Sequence, residues 1–114
     1  MGNKVTIRQL MEKTTELQEL FRKVESKPWN IDTYVIELLA EVGTLADSIL
    51  IKEGYRNIRP DQKPIDLEDS ISDILFVIFM IADYYEIDVG RSYLSMVENT
   101  QKKLEVKINQ RYTE

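Results

Sequence analysis

The chain has no cysteine and no histidine among its 114 residues. Without cysteine there is no disulfide, no zinc–thiolate centre and no thiol nucleophile. Without histidine, imidazole catalysis and His-ligated metals are excluded as well. Any metal must therefore be held by oxygen, which favours Mg²⁺, Mn²⁺ or Ca²⁺. Glycine (4) and proline (3) are scarce, and most of them fall between periodic segments, where they act as breaks. The longest apolar run, residues 74–82, is far shorter than the ~20 residues of a membrane span. The opening Met1-Gly2-Asn3-Lys4-Val5-Thr6 lacks the apolar centre of a signal peptide. Gly2 with Thr6 matches an acylation pattern, but nothing else in the sequence points to a membrane, and we expect a cytoplasmic protein. Basic residues are the minority, 15 against 20 acidic ones, for a net charge of −5. That balance is a poor surface for sequence-independent binding to nucleic acid.

Apolar residues make up 43% and charged residues 31%, as in an ordinary folded domain. The length fits a single domain over residues 1–114, which should bury roughly 65% of its unfolded surface. Four helices are expected. Thr6-x-x-Gln9 is a capping box opening a first helix, roughly Ile7 to Val24, with Leu10, Leu17, Leu20, Phe21 and Val24 as its core stripe. Asp32 or Asn30 caps a second, running to about Glu53 and stopped by Gly54. Its stripe is Val35, Leu38, Leu39, Val42, Leu45, Ala46, Ile49 and Leu50. Residues 54–65, with Pro60 and Pro64, read as a loop. Asp66 caps a third helix through about Tyr85, and residues 87–90 as a turn precede a fourth from about Arg91 to Arg111. The expectation is an all-α, up-and-down four-helix bundle. The third helix is apolar on every side over residues 74–82. Three partners of this size cover such a helix poorly, so self-association, as a homodimer or a homotetramer, is expected to complete the core.

Glu41 and Asp73 stand out because each lies inside an apolar stretch, and a buried carboxylate is costly unless paired, hydrogen-bonded or metal-bound. Glu37 is one helical turn before Glu41, and Asp69 one turn before Asp73. Two readings follow. These acids border the core and reach water or a cation, or the second and third helices pack together and offer them to one Mg²⁺. Lys52, Arg56, Arg59 and Lys63 place four cations within a dozen residues of an acidic chain. They are either a solvated loop or phosphate partners. Trp29 is either an anchor at a helix start or a stacking surface for a base.

Leu38-Leu39-Ala40-Glu41-Val42-Gly43-Thr44-Leu45-Ala46 resembles the second helix of the MazG-like nucleotide pyrophosphohydrolases, whose pattern is close to L-x-x-E-x-G-E-L-A. Glu68-Asp69-Ser70-Ile71-Ser72-Asp73-Ile74-Leu75, followed by an apolar run and Tyr85-Glu86-Ile87-Asp88, is similar to that family's third helix, E-E-L-x-D-V-L ending near G-I-D. The resemblance covers about residues 30–105. It implies an all-α, usually dimeric or tetrameric enzyme that splits nucleoside triphosphates into monophosphate and pyrophosphate with Mg²⁺, or with Mn²⁺. Glu41 and Asp73 match two of the four family acids and are the implied catalytic pair. The other two positions fall on Thr44 and Ser70, both neutral hydroxyls, so Glu37 and Asp69 are the candidate replacement ligands. On the fourth helix, ungapped counting puts the family's phosphate-contacting residues at Met96, Thr100 and Lys103; Asn99 and Lys102 carry the right chemistry one residue early. Three functions follow: a Mg²⁺-dependent nucleoside triphosphate pyrophosphohydrolase with a remodelled metal shell, a catalytically silent relative that binds nucleotide or dimerises, and a structural helical partner.

Overall fold

The computed structural model describes residues 4–63 and 66–113. Gly2 of the acylation pattern and Pro64 of the loop lie outside these. The described residues form four α-helices and no strand: α1 (Ile7–Val24), α2 (Ile31–Lys52), α3 (Leu67–Tyr84) and α4 (Val89–Thr113).

Local chemistry sets most helix ends. At α1 the Thr6 hydroxyl accepts from the Gln9 N–H at 3.1 Å, while the Gln9 side chain accepts from the Thr6 N–H at 2.9 Å. Each such cap is worth about 1 kcal/mol. Asn30, not Asp32, caps α2, accepting from the Thr33 N–H at 3.0 Å. Asp32 sits in the first turn instead, where its charge complements the helix dipole. Asp66 caps α3 by accepting from the Glu68 N–H at 2.8 Å. Both α2 and α3 close in the same way. The Gly54 N–H donates to the Ile51 carbonyl and the Tyr55 N–H to that of Leu50; likewise Glu86 donates to Asp83 and Ile87 to Ala82. This double closure needs a left-handed residue after the helix. Gly54 supplies it at φ 83° without strain, whereas Glu86 adopts φ 56° despite its Cβ.

The fourth helix begins earlier than its glycine suggests. The Asp88 carboxylate accepts from the Arg91 N–H at 3.1 Å and starts the helix at Val89. Gly90 therefore lies inside the first turn rather than in a turn before it. A Cβ there would sit 3.5 Å from Ile7, so the start of α4 lies against the start of α1.

The core is centred on α3, which packs mainly on α2 and secondly on α1. Tyr34, Val77 and Met80 are buried together, with Ile31, Leu38, Phe76 and Ile81 packed around them; Phe79 and Ala82 are buried as well. The Tyr34 hydroxyl accepts from the Gln18 side chain, tying α1 to α2.

Burial on α1 and α2 departs from the stripes read in the sequence. On α1 the buried residues are Thr14 and Gln18, while Leu10, Leu17, Leu20, Phe21 and Val24 are exposed. On α2 only Tyr34 and Ser48 are buried, and Val35, Leu39, Ala46, Val42 and Ile49 face out. The α1 stripe meets α3 through Phe21, edge-on to Phe76 at 6.2 Å, and Leu17 and Phe21 border an open cavity rather than a closed core, which leaves both exposed. No described residue of α4 is buried. The result is open: the radius of gyration is 19.1 Å and the extents 62 × 39 × 39 Å, against about 13 Å for a compact chain of this length. No described helix is long and apolar enough to cross a membrane.

Candidate functional site

A cavity of about 480 Å³ opens between α1, α2 and α3. Glu37 and Glu41 reach it from α2, one turn apart, and Ser72 and Asp73 from α3. Their convergence follows from the α2–α3 contact that builds the core, since Tyr34, Val77 and Met80 also line the cavity floor. From α1 and the following loop come Gln18, Phe21, Arg22, Glu25 and Trp29. The cavity wall thus combines four carboxylates, Glu25, Glu37, Glu41 and Asp73, with the rings of Phe21, Trp29, Tyr34 and Phe76.

Glu41 carries the electrostatic signature of the carboxylates on α2 and α3. It is half-buried, and its pKa is pushed up from 4.5 to about 6. Desolvation is the largest cause, followed by the adjoining Glu37 carboxyl and the negative charge of Asp73. None of Glu37, Glu41 and Asp73 forms an ion pair among the described residues. Among the described residues, no three acidic side chains form a preformed metal cage. The donor set is nonetheless all oxygen, as a hard divalent cation prefers.

The other expected residues lie elsewhere. Asp69 is exposed and is not part of the cavity wall. Thr44 is exposed and its hydroxyl donates to the Ala40 carbonyl at 3.2 Å. Ser70 is 1% exposed, and its hydroxyl oxygen is buried without a hydrogen-bond partner. Lys52 and Lys63 border a second cavity, of about 440 Å³, between the end of α2 and the start of α3. Lys52 is eleven residues beyond Glu41, about 16 Å along the helix axis. Arg56 is bound to Asp47, which also accepts from the Gln62 side chain at 3.2 Å. The Arg56 guanidinium and the Gln62 amide hold the Asp47 carboxyl below the usual carboxylate range. The Arg59 N–H donates to Gln62 at 3.4 Å. Arg56, Arg59 and Gln62 thus fasten the loop to α2. Asn99, Lys102 and Lys103 lie on the exposed α4, away from both cavities.

Sequence reasoning missed the α1 wall. Gln18, Arg22 and Glu25 follow one another at helical spacing beside the leucine stripe. That spacing is ordinary for a solvated face, so nothing in it distinguished them. No protein-family model matches the chain, and neither a curated protein nor a solved structure matches it.

Proposed function

We propose that the protein is a Mg²⁺-dependent nucleoside triphosphate pyrophosphohydrolase of the MazG-like kind, assembled from two copies of the chain. The observation that carries the catalytic reading is the convergence of Glu37, Glu41 and Asp73 on one cavity with aromatic side chains in its wall. A half-buried carboxylate raised to about 6 by burial first and by its acidic neighbours second favours a counter-charge, and a divalent cation supplies one. Mg²⁺ characteristically binds through one or two carboxylates plus substrate phosphates. A two-helix carboxylate set with no complete cage suits that mode. Glu41 and Asp73 would hold the ion and Glu37 would orient it or its water. Mg²⁺ there contributes Lewis acidity toward the triphosphate. Trp29 and Phe21 in the cavity wall give a flat base something to stack on, and Arg22 is the cation of that wall, available to a phosphate oxygen.

One observation favours a silent nucleotide-binding relative instead. Ser70 is sealed in the core, so the family acid at that position has no counterpart facing the cavity. Pyrophosphate release across a panel of ribo- and deoxynucleoside triphosphates, with Mg²⁺ and with Mn²⁺, separates the two. The enzyme reading expects release that Asp73→Asn abolishes. Nucleotide binding without release would establish the silent relative, and neither binding nor release would leave a structural helical partner.

The second copy is argued from area. The chain exposes 9908 Å², whereas a compact monomer of 13.4 kDa exposes about 6,500 Å². The excess is about 3,400 Å² per chain, and an obligate interface buries roughly 2,000–5,000 Å² summed over both partners, so a second copy can cover a large part of it. It includes the outward stripes of α1 and α2 and the flank of α3 at Leu75 and Ile78. Their burial against a second copy would close the four-helix arrangement. Sedimentation at twice 13.4 kDa or above is expected; a monomer at all concentrations would refute it.

A further inference from the structure

Glu25 is the wall residue that the metal reading leaves unexplained. It lines the cavity, and its Oε2 is buried with no hydrogen-bond partner. Arg22, one turn earlier on the same wall, makes no ion pair with it among the described residues. The Glu25 N–H donates to the Phe21 carbonyl at 2.9 Å, so the backbone is fixed at the end of α1. A buried acceptor without a donor is an unfavourable arrangement that a bound donor relieves. Aromatic rings line the same cavity. Trp29 and Tyr34 form a tilted pair 6.1 Å apart, and Phe21 meets Phe76 edge-on at 6.2 Å. A cavity with flat apolar walls and one unmatched acceptor suits a heteroaromatic ring that carries an N–H donor.

We propose that Glu25 reads the base of the nucleotide, accepting a hydrogen bond from an exocyclic amino group, so that the site takes amino-bearing bases over uracil and thymine. The proposal rests on the nucleotide reading above. Cytosine, adenine and guanine each present an amino group at the ring edge. Uracil and thymine present an N–H only between two carbonyls, so a carboxylate that reaches it also meets an acceptor oxygen. A site built around a buried polar group rejects the analogue that leaves it unpaired.

Calorimetric titration of the full chain with the non-hydrolysable α,β-imido analogues of CTP and UTP, in Mg²⁺, tests this. The cytidine analogue should bind at least about tenfold more tightly, as one charge-assisted hydrogen bond provides. Glu25→Gln, whose amide offers both a donor and an acceptor, should bring the two analogues to within about threefold of each other. A second pair, the adenosine and inosine analogues on the unaltered protein, asks the same question without a variant. Equal affinities within both pairs, or a preference that survives Glu25→Gln, would overturn the proposal while leaving the nucleotide reading intact. No binding by any analogue would overturn both.

Discussion

Replacing Glu41 by glutamine isolates the charge of this side chain from its shape. Glu41 titrates at about 6 in the folded chain against an ordinary 4.5, through burial, Glu37 and Asp73. A carboxyl whose folded value is raised opposes folding when it ionises. Below pH 4.5 it is protonated in both states and has no effect; stability falls as pH rises from 4.5 through 6, and the loss is complete above. The separation of about 1.5 pH units corresponds to roughly 2 kcal/mol, and solvent screening at a half-buried position reduces this to about 1 kcal/mol. In EDTA, Glu41→Gln should therefore be about 1 kcal/mol more stable than the unaltered chain at pH 7.5. The urea midpoint should rise by roughly 0.5 M at an m-value near 2 kcal/mol/M. At pH 4.2 the two midpoints should coincide. Mg²⁺ should reverse the order at pH 7.5, since a ligand at a hundred times its Kd adds about 2.7 kcal/mol to the form that binds it. A variant less stable than the parent at pH 7.5, or stabilised equally at both pH values, would show that Glu41 does not sit in an uncompensated acidic cluster.

Three further outcomes are expected. Leu39 is 68% exposed on a single chain; an exposed substitution is normally worth under about 0.5 kcal/mol. Leu39→Arg should therefore leave helicity intact yet yield a monomer in sedimentation, and an unchanged assembly would exclude this α2 face from the interface. Thr44→Glu adds an exposed carboxylate one turn beyond Glu41 and should tighten Mg²⁺ binding about tenfold by calorimetry; no change would place Thr44 away from the ion. Glu86→Gly relieves a left-handed residue and should raise stability by about 1 kcal/mol in urea melts, whereas a loss would mean the Glu86 side chain contributes more than its strain removes.

Helix ends were legible because they are local chemistry. The Thr6–Gln9 box, Asp66 and Gly54 act where a residue-by-residue reading puts them. Gly90 misled because glycine is read as a breaker, while the Asp88 cap two residues earlier had already begun the helix. Periodicity disclosed the stripes of α1 and α2 but not what faces them. On α1 the buried residues are Thr14 and Gln18, Gln18 bonding Tyr34 of α2, while Phe21 of the stripe meets Phe76 of α3 and stays half open to the cavity. Glu41 and Asp73 could be selected because a charge in an apolar setting is conspicuous, and Glu37 because it lies one turn before Glu41. Glu25 and Arg22 could not, because their place on the same cavity wall is set by how α1 docks.

The bare fourth helix has a consequence for amide exchange. α4 spans about 37 Å, and no described side chain along it is buried. Helical propensity alone leaves an isolated helix of this length near the edge of stability in water. Its backbone hydrogens on a lone chain should therefore exchange through repeated fraying, with little of the protection enjoyed by the shorter α3. The longest helix of the molecule becomes its fastest-exchanging one, and its protection rises with protein concentration only to the degree that another molecule covers it. Deuterium uptake along residues 91–112, followed as the sample is diluted, is then a local gauge of association.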